Sequence, residues 1–402
     1  MPVVNDLGYH FGDGLAEDSD LVRAAESAVA QAVEPLEGRR PDLLCFFVCG
    51  DDPDTVEAAG LRAMEVAGAA TSVGCSAGGV IGGGRGVEAT SAVSAWAACL
   101  PGVRRTPLHL EPVRVEDRIG VSGMPDGRDD DERGDDEVAM LLADPYTFPV
   151  DGFVQSSGEL LPGLPLVGGM ASGAGGPGSV RLFIDGRRVE QGAVGVLLGG
   201  QVAARALVSQ GCRPVGPPMT VTKAANNMLL ELAGVPALSK LEQIIQELPP
   251  EDQQAAMQGL HIGIAMDEYA AEHERGDFLV RGVVGADRDR QAIGIGDVVE
   301  VGRTVRFQVR DAVAADEDLA ELFSRSRDDA DPVGGALLFS CNGRGTAMFP
   351  SADHDVQAVR SGLGIAGVAG FFAAGEIGPV GGRNHLHGFT ASILAFGARS
   401  KA

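Results

Sequence analysis

An order of strand, helix, strand, glycine turn and strand occurs three times along this chain, and this repetition constrains the fold more than any other feature. The first copy begins near Leu43, the second near Glu137 and the third near Ala336. In each copy an apolar run stops at a polar break, and a glycine-rich segment precedes the last apolar strand. Such self-similarity predicts one supersecondary unit that is used three times.

Glycine marks the turn of each copy. The chain has 58 glycines in 402 residues, about twice the usual ~7%. Seven of them lie in 74–86, eight in 158–178 and eight in 362–382. Because glycine lacks a Cβ, it permits tight turns and the close approach of a second backbone or of a ligand. Packing of crossing strands and ligand binding are therefore both open interpretations of these turns.

The copies and the segments between them indicate the fold class. Continuous apolar runs such as Leu43–Cys49 suit strands that are buried on both faces, and an amphipathic helix is predicted at 19–36. Between the second and third copies the patterns predict helices at 220–232, 238–248 and 315–326 and strands at 261–266, 278–284 and 298–309. We predict an α/β (α+β) fold with mixed β-sheets, built from repeated strand-helix-strand-strand units in two regions.

Charge limits the partners that the chain can bind. Asp and Glu number 56 against 32 Lys and Arg, which gives a formal net charge of −24. A nucleic-acid backbone is repelled by such a chain unless it carries a basic face, and the sequence has only short arginine pairs. We therefore expect no nucleic-acid partner. The acidic stretch 115–137 is predicted to be a solvated loop inserted between two copies.

The cysteine and hydropathy patterns bear on location and cofactors. The six cysteines show no C-x-x-C spacing, which favours free thiols in a reducing compartment. The N-terminus lacks a signal-peptide pattern, and no apolar run approaches about 18 residues. We expect a cytoplasmic protein that does not associate with a membrane, and we expect neither a cofactor nor a metal.

Six motifs occur in an order that is typical of a known family. They lie at 73–79 (VGCSAGG), 167–172 (VGGMAS), 211–216 (GCRPVG), 339–345 (FSCNGRG), 370–379 (GFFAAGEIGP) and 386–390 (LHGFT). With these motifs the chain resembles the FIST family (F-box and intracellular signal transduction proteins), with an N-terminal region at 20–215 and a C-terminal region at 216–402. The resemblance implies a sensory module that binds a small molecule, with amino acids proposed as ligands, and that signals to a partner protein in trans.

The segment after the apolar strand of the third copy holds the sharpest cluster of polar groups. Its candidate ligand-binding residues are Cys341, Asn342, Gly343, Arg344 and Gly345. A guanidinium suits a carboxylate because it presents paired N–H donors. Gly375 and Glu376, which follow another apolar strand, are candidates as well, and the Glu376 carboxylate can meet a ligand ammonium or pair with Arg344. Together the two side chains predict a site for a zwitterion such as an amino acid.

The remaining ligand-binding candidates are more scattered. They are Cys75, Ser76, Ser172, Arg213 and His387. The first three lie in glycine-rich segments that are predicted to be turns with exposed N–H donors. Arg213 either lines the same cleft or packs structurally. His387 is predicted to share a strand face with His385 and Phe389, but no third metal ligand is visible.

Two other classes of function stay open. A cysteine-dependent enzyme would use Cys341 as its nucleophile with His387 as base, or Cys75 in a turn that resembles an oxyanion nest. Rapid labelling by a mild electrophile would favour the enzyme, although strand cysteines are mostly inert packing residues. A protein-docking adaptor without a ligand would be indicated by a stable co-purifying protein. Thermal stabilisation by a metabolite would favour the sensor.

Overall fold

The structure is a computed structural model, and it describes residues 8–115, 118–125, 137–173, 175–200, 202–270, 273, 276–328 and 333–397. The elements of the first two copies are β1 (His10–Glu17), α1 (Leu21–Val33), β2 (Leu43–Cys49), α2 (Pro53–Ala67), β3 (Thr71–Ala77), β4 (Gly79–Gly82), β5 (Arg85–Glu88), β6 (Ala92–Cys99), β7 (Val103–Val115), β8 (Arg118–Ser122), β9 (Val138–Ala143), α3 (Val150–Leu160), β10 (Leu166–Met170), β11 (Leu182–Ile184), β12 (Arg187–Val189), β13 (Ala193–Gly200) and β14 (Ala204–Gln210). The middle of the chain forms β15 (Cys212–Ala225), β16 (Met228–Leu232), β17 (Val235–Pro236), α4 (Ala237–Glu247), α5 (Pro250–Gln258), β18 (Leu260–Ala265), β19 (Phe278–Asp287), β20 (Ala292–Ile295), β21 (Thr304–Arg310) and α6 (Ala312–Asp328). The third copy forms β22 (Val333–Cys341), α7 (Gly345–Met348), α8 (His354–Leu363), β23 (Gly367–Ala373), β24 (Glu376–Val380), β25 (Arg383–His387) and β26 (Thr390–Gly397).

All three copies have the same strand pairing. Their first strands, β2, β9 and β22, pair in parallel with β3, β10 and β23. The same first strands pair antiparallel with the last strands β6, β13 and β26. A parallel pair needs a crossover connection, and α2, α3 and α8 provide it. The predicted threefold repetition is confirmed, and so is the α/β class with mixed sheets in two regions.

Each copy also sends a β-hairpin to the sheet of another copy. The hairpin β4–β5 of the first copy extends β23 of the third. The hairpin β11–β12 of the second copy extends β3 of the first, and β24–β25 of the third extends β10 of the second. The resulting sheets are ordered β1-β6-β2-β3-β11-β12, β25-β24-β10-β9-β13-β7-β8 and β14-β26-β22-β23-β4-β5. The exchange is cyclic, so each sheet is completed by a neighbouring copy.

Aromatic side chains from different copies share one apolar core. Phe47 on β2 stacks on Phe371 on β23, with ring centroids 4.8 Å apart. Trp96 on β6 lies 5.0 Å from Phe396 on β26, and its Nε1 donates a hydrogen bond to the Gly367 carbonyl at 3.3 Å. Burial of these large apolar side chains ties the first copy to the third.

The chain divides into two compact units that are not continuous in sequence. The first consists of Met1–Val208, Leu319–Leu386 and Thr390–Ala402, and it contains the three copies. The second consists of Ser209–Asp318 and His387–Phe389. The predicted boundary between residues 215 and 216 separates two regions that are each continuous in sequence. The two units are discontinuous, so this boundary stays a prediction.

The second unit is built on a ring of antiparallel strands. The order is β15-β21-β18-β19-β20-β16, and β16 pairs back with β15. Apolar side chains such as Ile262 and Phe307 pack against α4 in its core. The predicted helices at 238–248 and 315–326 are confirmed as α4 and α6, and the predicted strands at 261–266 and 278–284 are confirmed as β18 and β19. The strand predicted at 298–309 begins only at Thr304, as β21.

One predicted helix is wrong. Residues 220–232 form the end of β15 and all of β16, joined by a two-residue turn at Asn226. Asn226 has a φ of +53°, and asparagine is among the residues that tolerate this conformation in hairpin turns. The Asn226-Asn227 pair therefore indicates a hairpin turn. This signal outweighs the helical spacing of the flanking apolar residues.

The acidic stretch 115–137 is partly structured. β8 follows β7 closely and pairs with it antiparallel, so the start of the predicted loop is a β-hairpin. Residues 116–117 and 126–136 lie outside the described residues. Among the helices that the structure describes, none combines the length and the apolar character that a membrane span requires.

Candidate functional site

The predicted cluster forms where β22 and β23 end. Cys341 and Ala373 are partners in the parallel register, and the Asn342 amide donates to the Ala373 carbonyl at 2.8 Å. Parallel strands bring their carboxyl ends to one edge of a sheet. The loop that carries Arg344 therefore lies beside the start of β24 at Glu376, close enough for the guanidinium to interact electrostatically with the Glu376 carboxyl group.

A hairpin from the first copy holds this loop. The Glu88 carboxylate on β5 accepts a hydrogen bond from the Thr346 amide at 2.8 Å. A Cβ at Gly345 would lie only 2.5 Å from the Glu88 carboxylate, so this approach requires glycine at that position. The Gly86 amide of the same strand donates to Asp353 at 2.8 Å. The exchanged hairpin thus contacts both the loop and the start of α8.

Arg344 forms a buried ion pair with Asp355 on α8. Its Nε lies 2.7 Å from Oδ2 and its Nη2 lies 2.9 Å from Oδ1. The Ser340 hydroxyl donates to Oδ2 at 2.6 Å, and His354 Nδ1 lies 3.0 Å from Oδ1. Burial alone would raise the pKa of Asp355, but the Arg344 charge and these hydrogen bonds lower it well below its usual range.

The sequence alone did not predict that Arg344 pairs with Asp355. Arg344 was expected to meet a ligand or Glu376, whereas two of its three nitrogens contact Asp355. The available signal was the Asp353-His354-Asp355 segment, with which α8 begins. The helix brings its first turn back towards the end of β22, so the acid reaches the arginine.

Glu376 is a buried carboxyl group that stays protonated at neutral pH. Its Oε2 accepts hydrogen bonds from the Thr390 hydroxyl at 2.8 Å and the Thr390 amide at 3.2 Å. Burial raises the pKa of Glu376 to about 8, while Thr390, the Cys341 thiol and the Arg344 charge lower it to a smaller extent. Desolvation therefore decides the protonation state of this group.

Two atoms of the cluster are buried without a partner. In the described part of the chain, no hydrogen bond reaches Nη1 of Arg344, and no N–H or O–H donor reaches Oε1 of Glu376. Both residues are completely buried. Leaving such an atom unsatisfied costs about 1–3 kcal/mol, so the cluster has capacity for a polar partner. The neighbouring Asn342 and Ala374 are exposed, which places the cluster directly beneath the surface.

Cys75 and Ser76 lie elsewhere in the first unit. The expectation of a glycine turn at 74–79 was wrong for both, because β3 continues to Ala77. Cys75 faces the apolar core, and burial raises the pKa of its thiol, which keeps the thiol protonated and unreactive. The Ser76 hydroxyl accepts from the Arg181 amide at 3.1 Å, a structural contact between neighbouring segments.

The glycine turns of the three copies meet in direct contact. The Ser172 hydroxyl accepts from the Gly78 amide at 2.9 Å and donates to the Phe372 carbonyl. The Gly375 carbonyl accepts from the Met170 amide at 2.8 Å. These contacts support the interpretation that the turns serve the packing of crossing strands. Gly168 and Gly169 lie within β10, not in the predicted turn.

Arg213 and His387 belong to the second unit. Arg213 forms ion pairs with Asp252 and Asp311 of that unit, which favours its structural interpretation. His387 ends β25 and Thr390 begins β26, with Phe389 between them at a φ of +61°. The prediction that His387 and Phe389 share one strand face was therefore wrong.

A cavity of about 890 Å³ lies at a different place in the first unit. β8 and α3 contribute its walls, which include Ile119, Val121, Phe153 and Leu161. None of the lining residues that the structure describes carries a charge. Among these described lining residues a zwitterion finds no ionic partner.

The sequence matches the FIST N domain over residues 42–235 and the FIST C domain over residues 237–379. It is 43% identical over 389 residues to the uncharacterized protein Rv0628c of Mycobacterium tuberculosis (strain ATCC 25618 / H37Rv), covering 96% of this chain and 99% of the relative. It is 40% identical over 388 residues to the uncharacterized protein Mb0898c of Mycobacterium bovis, covering 96% of this chain and 98% of the relative.

Proposed function

Because the chain belongs to the FIST family, whose domains are associated with signal transduction and ligand sensing, we propose that it is a small-molecule sensor with its ligand site at the Arg344–Glu376 cluster. The observation that supports this site is the pair of buried polar atoms without partners, Nη1 of Arg344 and Oε1 of Glu376. Buried polar groups are nearly always hydrogen-bonded, so a ligand that satisfies both atoms gains affinity from each.

The proposed ligand is an amino acid or a related zwitterion. Its carboxylate would accept a charge-assisted hydrogen bond from Nη1 of Arg344. Its ammonium would donate to Oε1 of Glu376. Since an ammonium favours the ionised carboxylate, binding would lower the pKa of Glu376 from about 8 and release a proton at neutral pH. Proton release therefore distinguishes a zwitterion from a ligand that has only a carboxylate.

The experiment is a thermal-shift screen of the twenty common amino acids, each compared with its deaminated and decarboxylated analogue. A binding amino acid stabilises the native state by about 2.7 kcal/mol at about 100 times Kd, and neither analogue should match it. Calorimetry in buffers of different ionisation enthalpy then measures the expected proton release. The proposal fails if no amino acid stabilises the protein.

Matched variants test the location of the site. Glu376→Gln and Arg344→Lys should abolish the stabilisation by the amino acid. Arg325→Gln serves as the control, because Arg325 is an exposed arginine that pairs with Glu321 on the same face of α6. Ligand-induced shifts that survive in both site variants would place the ligand elsewhere in the protein.

The output of the sensor is proposed to be a partner protein in trans, and its location the cytoplasm. All six cysteines are free thiols, which suits a reducing compartment. Affinity capture with and without the ligand identified by the screen tests the partner. A protein that is captured equally in both states would support a docking adaptor and contradict ligand-dependent signalling.

A further inference from the structure

Cys341 lies among groups that favour its thiolate form. Its Sγ accepts a hydrogen bond from the Gly343 amide at 3.4 Å. The Arg344 guanidinium is close enough to interact electrostatically with the sulfur. An amide donor and a nearby cation both stabilise a thiolate relative to a thiol.

The same cluster contains a proton donor and a free hydrogen-bond donor. Glu376 lies within hydrogen-bonding reach of the Cys341 thiol, and its raised pKa of about 8 keeps it protonated at neutral pH. Nη1 of Arg344 is buried and unpartnered. A sulfur atom, a carboxylic acid and a cationic N–H therefore belong to one buried cluster.

We propose that Cys341 is a peroxide-reactive thiol that hydrogen peroxide oxidises to a sulfenic acid, with Glu376 as the proton donor. Cys341 is only 5% exposed, and both Arg344 and Glu376 are completely buried. A small uncharged molecule can reach such a site without losing the hydration of an ion.

The reaction balances with the groups present and one molecule of peroxide. The Cys341 thiolate attacks one peroxide oxygen, so an S–O bond forms while the O–O bond breaks. The departing oxygen takes the Glu376 proton and leaves as water, and Nη1 of Arg344 stabilises the developing negative charge. The proton lost by the thiol returns through solvent to Glu376. Sulfur is oxidised by two electrons and the peroxide is reduced.

Two other cysteines provide an internal control for exposure. Cys49 is 4% exposed and Cys99 is 6% exposed, close to the value for Cys341. Burial raises the pKa of both control thiols, which disfavours their thiolates. If exposure alone governed oxidation, all three would react at similar rates. The proposal requires Cys341 to react first.

The test treats the reduced full-length protein with hydrogen peroxide and traps sulfenic acid with a dione probe. Peptide mapping should place the first label on Cys341 and not on Cys49 or Cys99, and Cys341→Ser should remove that label. Glu376→Gln is nearly isosteric and should slow oxidation about 10²-fold, the size of a general-acid contribution. Equal labelling of the three cysteines would overturn the proposal.

Alkylation with iodoacetamide separates proton donation from a structural effect. Iodide leaves without a proton, so Glu376→Gln should change the alkylation rate of Cys341 by only a few fold. If alkylation and oxidation fell together, Glu376 would not be the proton donor. This inference uses the same cluster as the proposed ligand site but does not rest on it. Oxidation of Cys341 is measured without an amino acid, and amino-acid stabilisation is measured without peroxide, so the two proposals can fail independently.

Discussion

Replacing Asp355 with asparagine should destabilise the first unit by about 3–5 kcal/mol, the usual cost of removing one partner of a buried ion pair. Arg344 is completely buried and its charge is compensated by Asp355 through two hydrogen bonds of 2.7 and 2.9 Å. The Asn side chain keeps the shape of Asp but leaves the guanidinium without a counter-charge. The Asn side chain also has only one acceptor oxygen, whereas both carboxylate oxygens of Asp355 have a neighbouring side chain, Ser340 at Oδ2 and His354 at Oδ1.

Urea unfolding that is monitored by tryptophan fluorescence measures this loss of stability. The chain has one tryptophan, Trp96, which is buried in the first unit beside β26, so its signal reports on the unit that contains the pair. The control is Glu321→Gln, which breaks an exposed pair with Arg325 and should cost less than about 0.5 kcal/mol. A loss below about 1 kcal/mol for Asp355→Asn would refute the conclusion that the pair is buried and closed.

The pH dependence gives a second criterion for the same variant. The native pKa of Asp355 is held below its usual range, whereas the unfolded value is about 3.9. Below about pH 4 the unfolded chain therefore binds a proton that the native state does not, and the stabilisation by Asp355 declines as the pH falls. The stability difference between wild type and Asp355→Asn should be largest above pH 5 and should shrink towards pH 3.

Two further predictions concern stability. Native Glu376 has its pKa raised to about 8, so between about pH 4 and pH 8 it binds more protons than the unfolded carboxyl group. Wild type should therefore lose stability relative to Glu376→Gln as the pH rises through that window. Thermal unfolding at each pH measures this loss, and a stability difference that stays constant with pH would contradict the assigned pKa. Gly370→Ala should cost about 3 kcal/mol, because its Cβ would overlap the Leu338 carbonyl oxygen. Gly152→Ala on α3 meets no atom within 4 Å and should instead stabilise the protein by about 0.5–1 kcal/mol, so similar losses in both variants would show that the crowding at Gly370 is not the cause.

The repeated unit could be predicted from sequence because its signals are local. An apolar strand, a helical period and a glycine turn each occupy fewer than about twenty residues, and their order recurs. The hairpin exchange has no such signal. The pairing of β4 with β23 joins residues that are far apart in the chain, and the apolar pattern of β4 would suit any neighbouring strand. Tertiary packing decides between these partners.

The site was partly predictable for the same reason. Arg344 and Glu376 each follow an apolar strand, and the parallel order of those strands brings their ends together. The counter-ion Asp355 was missed, because its position depends on the angle at which α8 returns to the sheet. Cys75 and Ser76 were misplaced, since Gly74 is accommodated within a strand, where the Phe46 ring occupies the space of a Cβ.

The three copies differ in the segments that follow their first strands, and this difference supports the proposal that the Arg344–Glu376 cluster serves binding or chemistry. After β2, Asp52 caps α2 by accepting from the Thr55 amide at 3.1 Å. After β9, Asp144 accepts from the Tyr146 amide at 2.9 Å. Both copies thus use an acid to satisfy their own backbone, whereas the third has Arg344 there and buried polar atoms without partners. Since the same strand pairing forms in all three copies, the fold does not require that unsatisfied cluster, and the proposed ligand would offset its cost of about 1–3 kcal/mol per atom.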